Sequence, residues 1–216
     1  MIVSNVFSES RVSGATLILG SVVMLAGAVT FGLVKDANGP MIFGQPPREW
    51  LRLINAHEGT WRLSTILFIV GSLTTLAGWD LLAGRLERAG GSGFARVGLL
   101  ALAIGVTVFL VWMTVRLSAE IWAAKSAVAT QSVPDLFAPL AAWNGALFAL
   151  YTVLTFVGLA LFGAAMLTTS ALPNWLGVSA IVYGLAGLAV FAVARDMPPF
   201  VHYLPTPLIG VLLLRG

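Results

Sequence analysis

Few residues in this 216-residue chain are able to do chemistry, and they are widely spaced. The stretch Ile54–Arg62 holds His57 beside Glu58, and the second of the two histidines, His202, lies far downstream. Two imidazoles from different segments could ligate a b-type haem iron. With Glu58 or Asp196 they could instead hold a metal such as zinc. A single histidine could hold a chlorophyll-type pigment. No zinc-protease helix is present, because Glu58 is followed by Gly59-Thr60-Trp61. The spacing predicts two ion pairs, since Glu58/Arg62 and Arg116/Glu120 are each four residues apart and would share a helix face. Arg195 and Asp196 are neighbours in a break before Pro198-Pro199. Asp80 follows Trp79 at the end of an apolar run, where it would pair with Arg85 or Arg88 or serve as a proton or cation site. Asn144, Ser72, Thr74 and Thr75 complete the polar set, and the hydroxyls are expected to bond their own helix carbonyls.

The elements that must position these groups follow from composition. The chain is 58% hydrophobic and 10% charged, against about 25% charged in soluble domains. Such a chain has the bilayer as its solvent. The apolar runs are continuous rather than alternating, which favours helices over a β-barrel. The expected fold is all-α, a polytopic transmembrane bundle of about six membrane-spanning helices in a single domain. The spans fall at about 13–34, 63–84, 97–115, 141–167, 175–194 and 200–214. The first run is too long for a signal-peptide core and reads as a retained helix. With no cysteine, disulfides, thiolate catalysis, iron–sulfur clusters and c-type haem attachment are excluded. The scattered basic residues suit loops facing anionic lipid and exclude nucleic acid as a partner.

Between the spans, Ala37-Asn38-Gly39-Pro40 signals a turn. Pro47–Ile54 reads as a short helix with Trp50, Leu51, Leu53 and Ile54 toward lipid and Arg48 and Arg52 toward water. Arg85–Arg96 reads as a tight glycine-rich turn, and Arg116–Leu140 as a longer connection with a helix restart after Ser132-Val133-Pro134-Asp135. Gly90-Gly91-Ser92-Gly93 lacks the lysine of a phosphate-binding loop. Pro205 and Pro207 should make the last span irregular. Trp61, Trp79, Trp112, Trp143 and Trp175 stand near span ends, as an aromatic belt would. Six spans bring His57, Glu58, Arg62, Arg116, Glu120, Arg195, Asp196 and His202 to one face. The three arginines of the second loop favour a bacterial cytoplasmic membrane location with both termini cytoplasmic.

No glycines have GxxxG spacing, but a seven-residue spacing recurs at Gly20/Gly27, Gly71/Gly78, Gly91/Gly98/Gly105 and Gly177/Gly184. Seven residues are two turns, so each set marks one face suited to close helix packing. Such stripes would serve packing within the chain, self-association, or docking to other membrane subunits.

Leu172-Pro173-Asn174-Trp175-Leu176-Gly177 resembles the LPxWLG turn of small bacterial six-helix integral membrane proteins, and the ending Leu208–Arg215 is similar to theirs. The resemblance covers about the last third of the chain and implies a membrane fold without an activity. Three functional readings remain. The first is a non-enzymatic accessory or scaffold subunit of a larger membrane complex. The second is a binder or enzyme centred on His57, Glu58 and His202. The third is a small transporter or channel using Asp80 and the broken last span.

Overall fold

A computed structural model describes residues 9–36, 39–40, 46–90, 92–169 and 171–215. In chain order the elements are α1 (Glu9–Gly32), a two-residue antiparallel pair β1 (Lys35–Asp36) and β2 (Gly39–Pro40), α2 (Pro47–Ala56) and α3 (Glu58–Arg88). There follow α4 (Ser92–Leu117), α5 (Ala119–Thr130), α6 (Phe137–Thr169), α7 (Asn174–Ala194), a 3-10 turn (Pro199–Tyr203) and α8 (Thr206–Arg215). The pairing of Lys35 with Pro40 and Asp36 with Gly39 agrees with the turn signal. Its tip, Ala37-Asn38, lies outside the described residues.

Among the described residues, five segments are long and apolar enough to cross a membrane: Glu9–Gly32, Glu58–Arg88, Gly93–Thr130, Phe137–Thr169 and Asn174–Ala194. Their outer faces carry bare Leu19, Val22, Val29, Val182 and Leu185. Exposed apolar stripes of this kind are compatible with a multi-pass membrane protein. The sixth expected span differs. It divides into the 3-10 turn and the ten-residue α8, which at 1.5 Å per residue reaches only about 15 Å. Pro205 separates the two pieces, because it cannot donate to a helix running through it.

The helices pack as α1 on α3, α4 on α6, α6 on α7, α1 on α8 and α3 on α4. Glycine makes these approaches close. A Cβ on Gly20 would lie 2.6 Å from the Thr75 nitrogen, and one on Gly71 would lie 2.8 Å from the Met24 nitrogen. The same holds for Gly98 against Gly158, Gly163 against Gly177, and Gly14 against Gly210. The described stripe glycines thus seat helices of the same chain on one another, while Gly91 lies outside the described residues. Ser13 Oγ adds an interhelical bond to the Gly78 carbonyl at 2.9 Å. Ser10 Oγ donates to the Leu213 carbonyl at 2.9 Å, so the start of α1 and the end of α8 lie together at one end of the bundle.

Four local expectations are corrected. The turn Arg85–Arg96 is mostly helical, with α3 running to Arg88 and α4 starting at Ser92; Gly90 supplies the positive φ (100°) that the reversal needs. Much of Arg116–Leu140 is α5 rather than loop. The apolar face of α2 is covered by protein, not lipid: Leu51, Leu53 and Ile54 are buried with Val34, Trp61, Ile121, Ala124 and Phe137, and α2 lies on α5. Finally, Trp61, Trp79 and Trp112 are buried in the bundle, while Trp143 and Trp175 are exposed. Only the latter two have the exposure of a belt residue.

Candidate ligand pocket

The polar residues gather where α2 and α5 close one end of the bundle. Their arrangement begins with a break at Ser118. Its backbone (φ −118°, ψ −78°) is distorted from ideal helix values, so α4 ends at Leu117 and α5 starts at Ala119, although the Trp122 nitrogen still bonds the Ser118 carbonyl at 2.9 Å. Ser118 Oγ bonds the Thr114 carbonyl at 2.6 Å, a local bond of the kind that bends helices.

Glu120, two residues further on, is in the interior, 5% exposed. Asn144 of α6 donates its Nδ2 to Glu120 Oε1 at 2.7 Å. The other two oxygens of this pair, Glu120 Oε2 and Asn144 Oδ1, are buried without a hydrogen-bond partner. Beside them opens a pocket of about 410 Å³, inside the 300–1,000 Å³ range of ordinary small-molecule sites. Trp50, Trp112, Phe137 and Phe148 form aromatic walls; Pro47, Ala141, Gly145, Arg195 and Asp196 also line it and are exposed, at its mouth.

Arg116 does not form the expected bridge to Glu120. Among the described residues no ion pair joins them, and Glu120 Oε1 is taken by Asn144 instead. Arg116 is instead buried in an aromatic cage, its guanidinium carbon 4.0 Å from the Trp61 ring centre, 5.3 Å from Phe31, 5.8 Å from Trp112 and 5.9 Å from Phe68. Rings at these distances attract a cation through their quadrupoles. Trp61 Nε1 also donates to the Arg116 carbonyl at 3.1 Å. The Glu58/Arg62 pair does form, at 2.7 Å, and Lys125 of α5 joins Glu58 at 2.9 Å. This triad ties α3 to α5 near the surface.

The two histidines have separate surroundings. His57 sits at the joint between α2 and α3, where its Nε2 donates to the Lys35 carbonyl at 2.8 Å. His202, in the 3-10 turn, is buried against Tyr151, Phe156 and Phe148. Its Nδ1 donates to the Pro199 carbonyl at 2.9 Å, and its Nε2 has no partner. Among the described residues no three His, Cys, Asp or Glu side chains gather as a metal-holding group.

Asp196 Oδ1 accepts from the Met197 nitrogen at 2.7 Å and so caps the turn after α7. Asp80 is exposed at the other end of the bundle, where Arg88 pairs with Glu9 and Arg85 with Ser10 and the Ala171 carbonyl. Ser72, Thr74 and Thr75 bond the carbonyls of Ile69, Val70 and Gly71, as expected.

Of the residues singled out by sequence, Glu120, Arg195 and Asp196 meet at the pocket. Its walls were missed, since Trp112 read as a boundary marker and Trp50 as a lipid anchor. The signal that pointed to the floor was Asn144, an amide placed inside an apolar run. Comparisons with family models, with curated proteins and with solved structures give no match.

Proposed function

We propose that this chain is a multi-pass protein of a bacterial cytoplasmic membrane, both termini cytoplasmic, that binds a small molecule in the pocket between α2, α5 and α6. One observation carries this reading: the hydrogen-bonded pair Glu120 and Asn144, a carboxyl and an amide inside an apolar bundle, line an aromatic-walled cavity of about 410 Å³. Small-molecule sites are of this kind, mostly apolar and aromatic with a few placed polar groups. The described stripe glycines contact other helices of the same chain; the scaffold reading, which rests also on sparse intramembrane polarity and short loops, stands second.

Gly145 supplies the test. It lines the pocket, and a Cβ there meets nothing within 4 Å. Gly145→Leu therefore places a side chain at the pocket without disturbing a helix contact. In nanodiscs, saturation-transfer NMR with a set of small aromatic amines, alcohols and acids should show saturable binding of at least one class to the wild type. Gly145→Leu should lose it while keeping the wild-type melting temperature. Equal signals from both proteins, or none from the wild type, would contradict the reading.

A further inference from the structure

We infer that the pocket takes a free α-amino acid with an aromatic or other large apolar side chain; this rests on the pocket reading above. The charges around the pocket come in two opposite pairs. Arg195 and Asp196 stand together at its mouth. Glu120 lines the interior, and Arg116, caged by rings outside the lining, acts on it electrostatically. A net cation or a net anion gains from one member of each pair and loses to the other. A zwitterion is neutral as a whole and meets both charges of the mouth at once. In an α-amino acid the ammonium and the carboxylate hang on one carbon. That suits two neighbouring residues, whose Cα atoms are about 3.8 Å apart.

The two mouth charges are exposed and open to a ligand. Although adjacent, they form no ion pair with each other, and among the described residues the Arg195 guanidinium has no hydrogen bond or ion pair. Asp196 uses only Oδ1, on the Met197 nitrogen. Arg195 is also held in a backbone conformation that arginine rarely adopts. It ends α7 at φ 54°, the left-handed position where glycine is usual. Such outliers gather at ligand sites. A glycine there would close the helix with less strain and would leave the mouth without a cation. Inside, Trp50, Trp112, Phe137 and Phe148 offer ring faces and edges, on which an aromatic side chain packs in offset or edge-on contact. Recognition at the mouth leaves the Glu120–Asn144 hydrogen bond undisturbed.

The test is calorimetry on the whole chain in nanodiscs with four probes built on one phenyl ring. L-Phenylalanine carries both charges, 2-phenylethylamine lacks the carboxylate, 3-phenylpropionate lacks the ammonium, and 2-phenylethanol lacks both. Phenylalanine should bind about fivefold more tightly than the amine or the acid, the upper end for one ion pair in contact with water. Arg195→Gln should weaken phenylalanine and the acid about fivefold and leave the amine unchanged. Asp196→Asn, which keeps an oxygen for the Met197 nitrogen, should weaken phenylalanine and the amine and leave the acid unchanged. A merely structural role for either residue would move all the probes alike. If any analogue binds as tightly as phenylalanine, or either substitution acts on all probes equally or on none, the zwitterion is overturned and the pocket stands. If none of the four binds at millimolar concentration, both are overturned.

Discussion

Glu120 and Arg116 stand four positions apart and do different work. Sequence spacing predicts that they neutralise each other. In the structure Glu120 faces a cavity and Arg116 faces rings. Arg116 is then held by Trp61, which stacks on the guanidinium, bonds the Arg116 carbonyl and fills the core beneath α2. Trp61→Ala removes all three and should cost about 3–5 kcal/mol, the range for deleting a large buried ring. Reversible unfolding in mixed micelles measures it. Ser13→Ala, which loses one interhelical hydrogen bond, should cost only about 0.6 kcal/mol, the mean for such bonds in a bilayer. The histidines show the opposite lesson: rarity in the sequence made them conspicuous, yet each bonds a nearby backbone carbonyl and they do not share a site, His202 Nε2 being buried without a partner.

At the scale of elements, the apolar runs and the glycine spacing were legible because each follows from one rule, length of span or period of the helix. Gly20, Gly27, Gly71 and Gly78 form the α1–α3 seam that the seven-residue spacing suggests. Gly71→Leu drives a side chain into the Met24 backbone and should destabilise by at least about 1–3 kcal/mol, as overpacking does. Gly145→Leu meets open space and should leave the melting temperature in detergent unchanged. A similar loss of stability in both would contradict the packing described for α1 and α3. Less legible was the end of the bundle. The break at Ser118 has no proline or glycine to announce it, and without it α5 reads as loop. The amphipathic pattern of α2 fits a lipid surface as well as a protein one, and only α5 beneath it decides.

For the whole molecule, the path of the chain puts Glu87 and Arg215 at the end where α1 begins, and Arg52 and Lys125 at the end closed by α2 and α5. Because the chain has no cysteine, single cysteines report this cleanly. In intact bacterial cells, cysteines at positions 52 and 125 should react with an impermeant maleimide, and those at 87 and 215 only after permeabilisation. Reaction of all four without permeabilisation would contradict a membrane-spanning bundle. The pocket then opens at the membrane surface that the first pair occupies, and its occupancy is the central claim. Titrating small aromatic amines, alcohols and acids in turn into wild type and Gly145→Leu side by side tests it most directly. The account predicts a saturable one-site isotherm for the wild type with at least one class and only heat of dilution for the variant. The same isotherm from both proteins would contradict it.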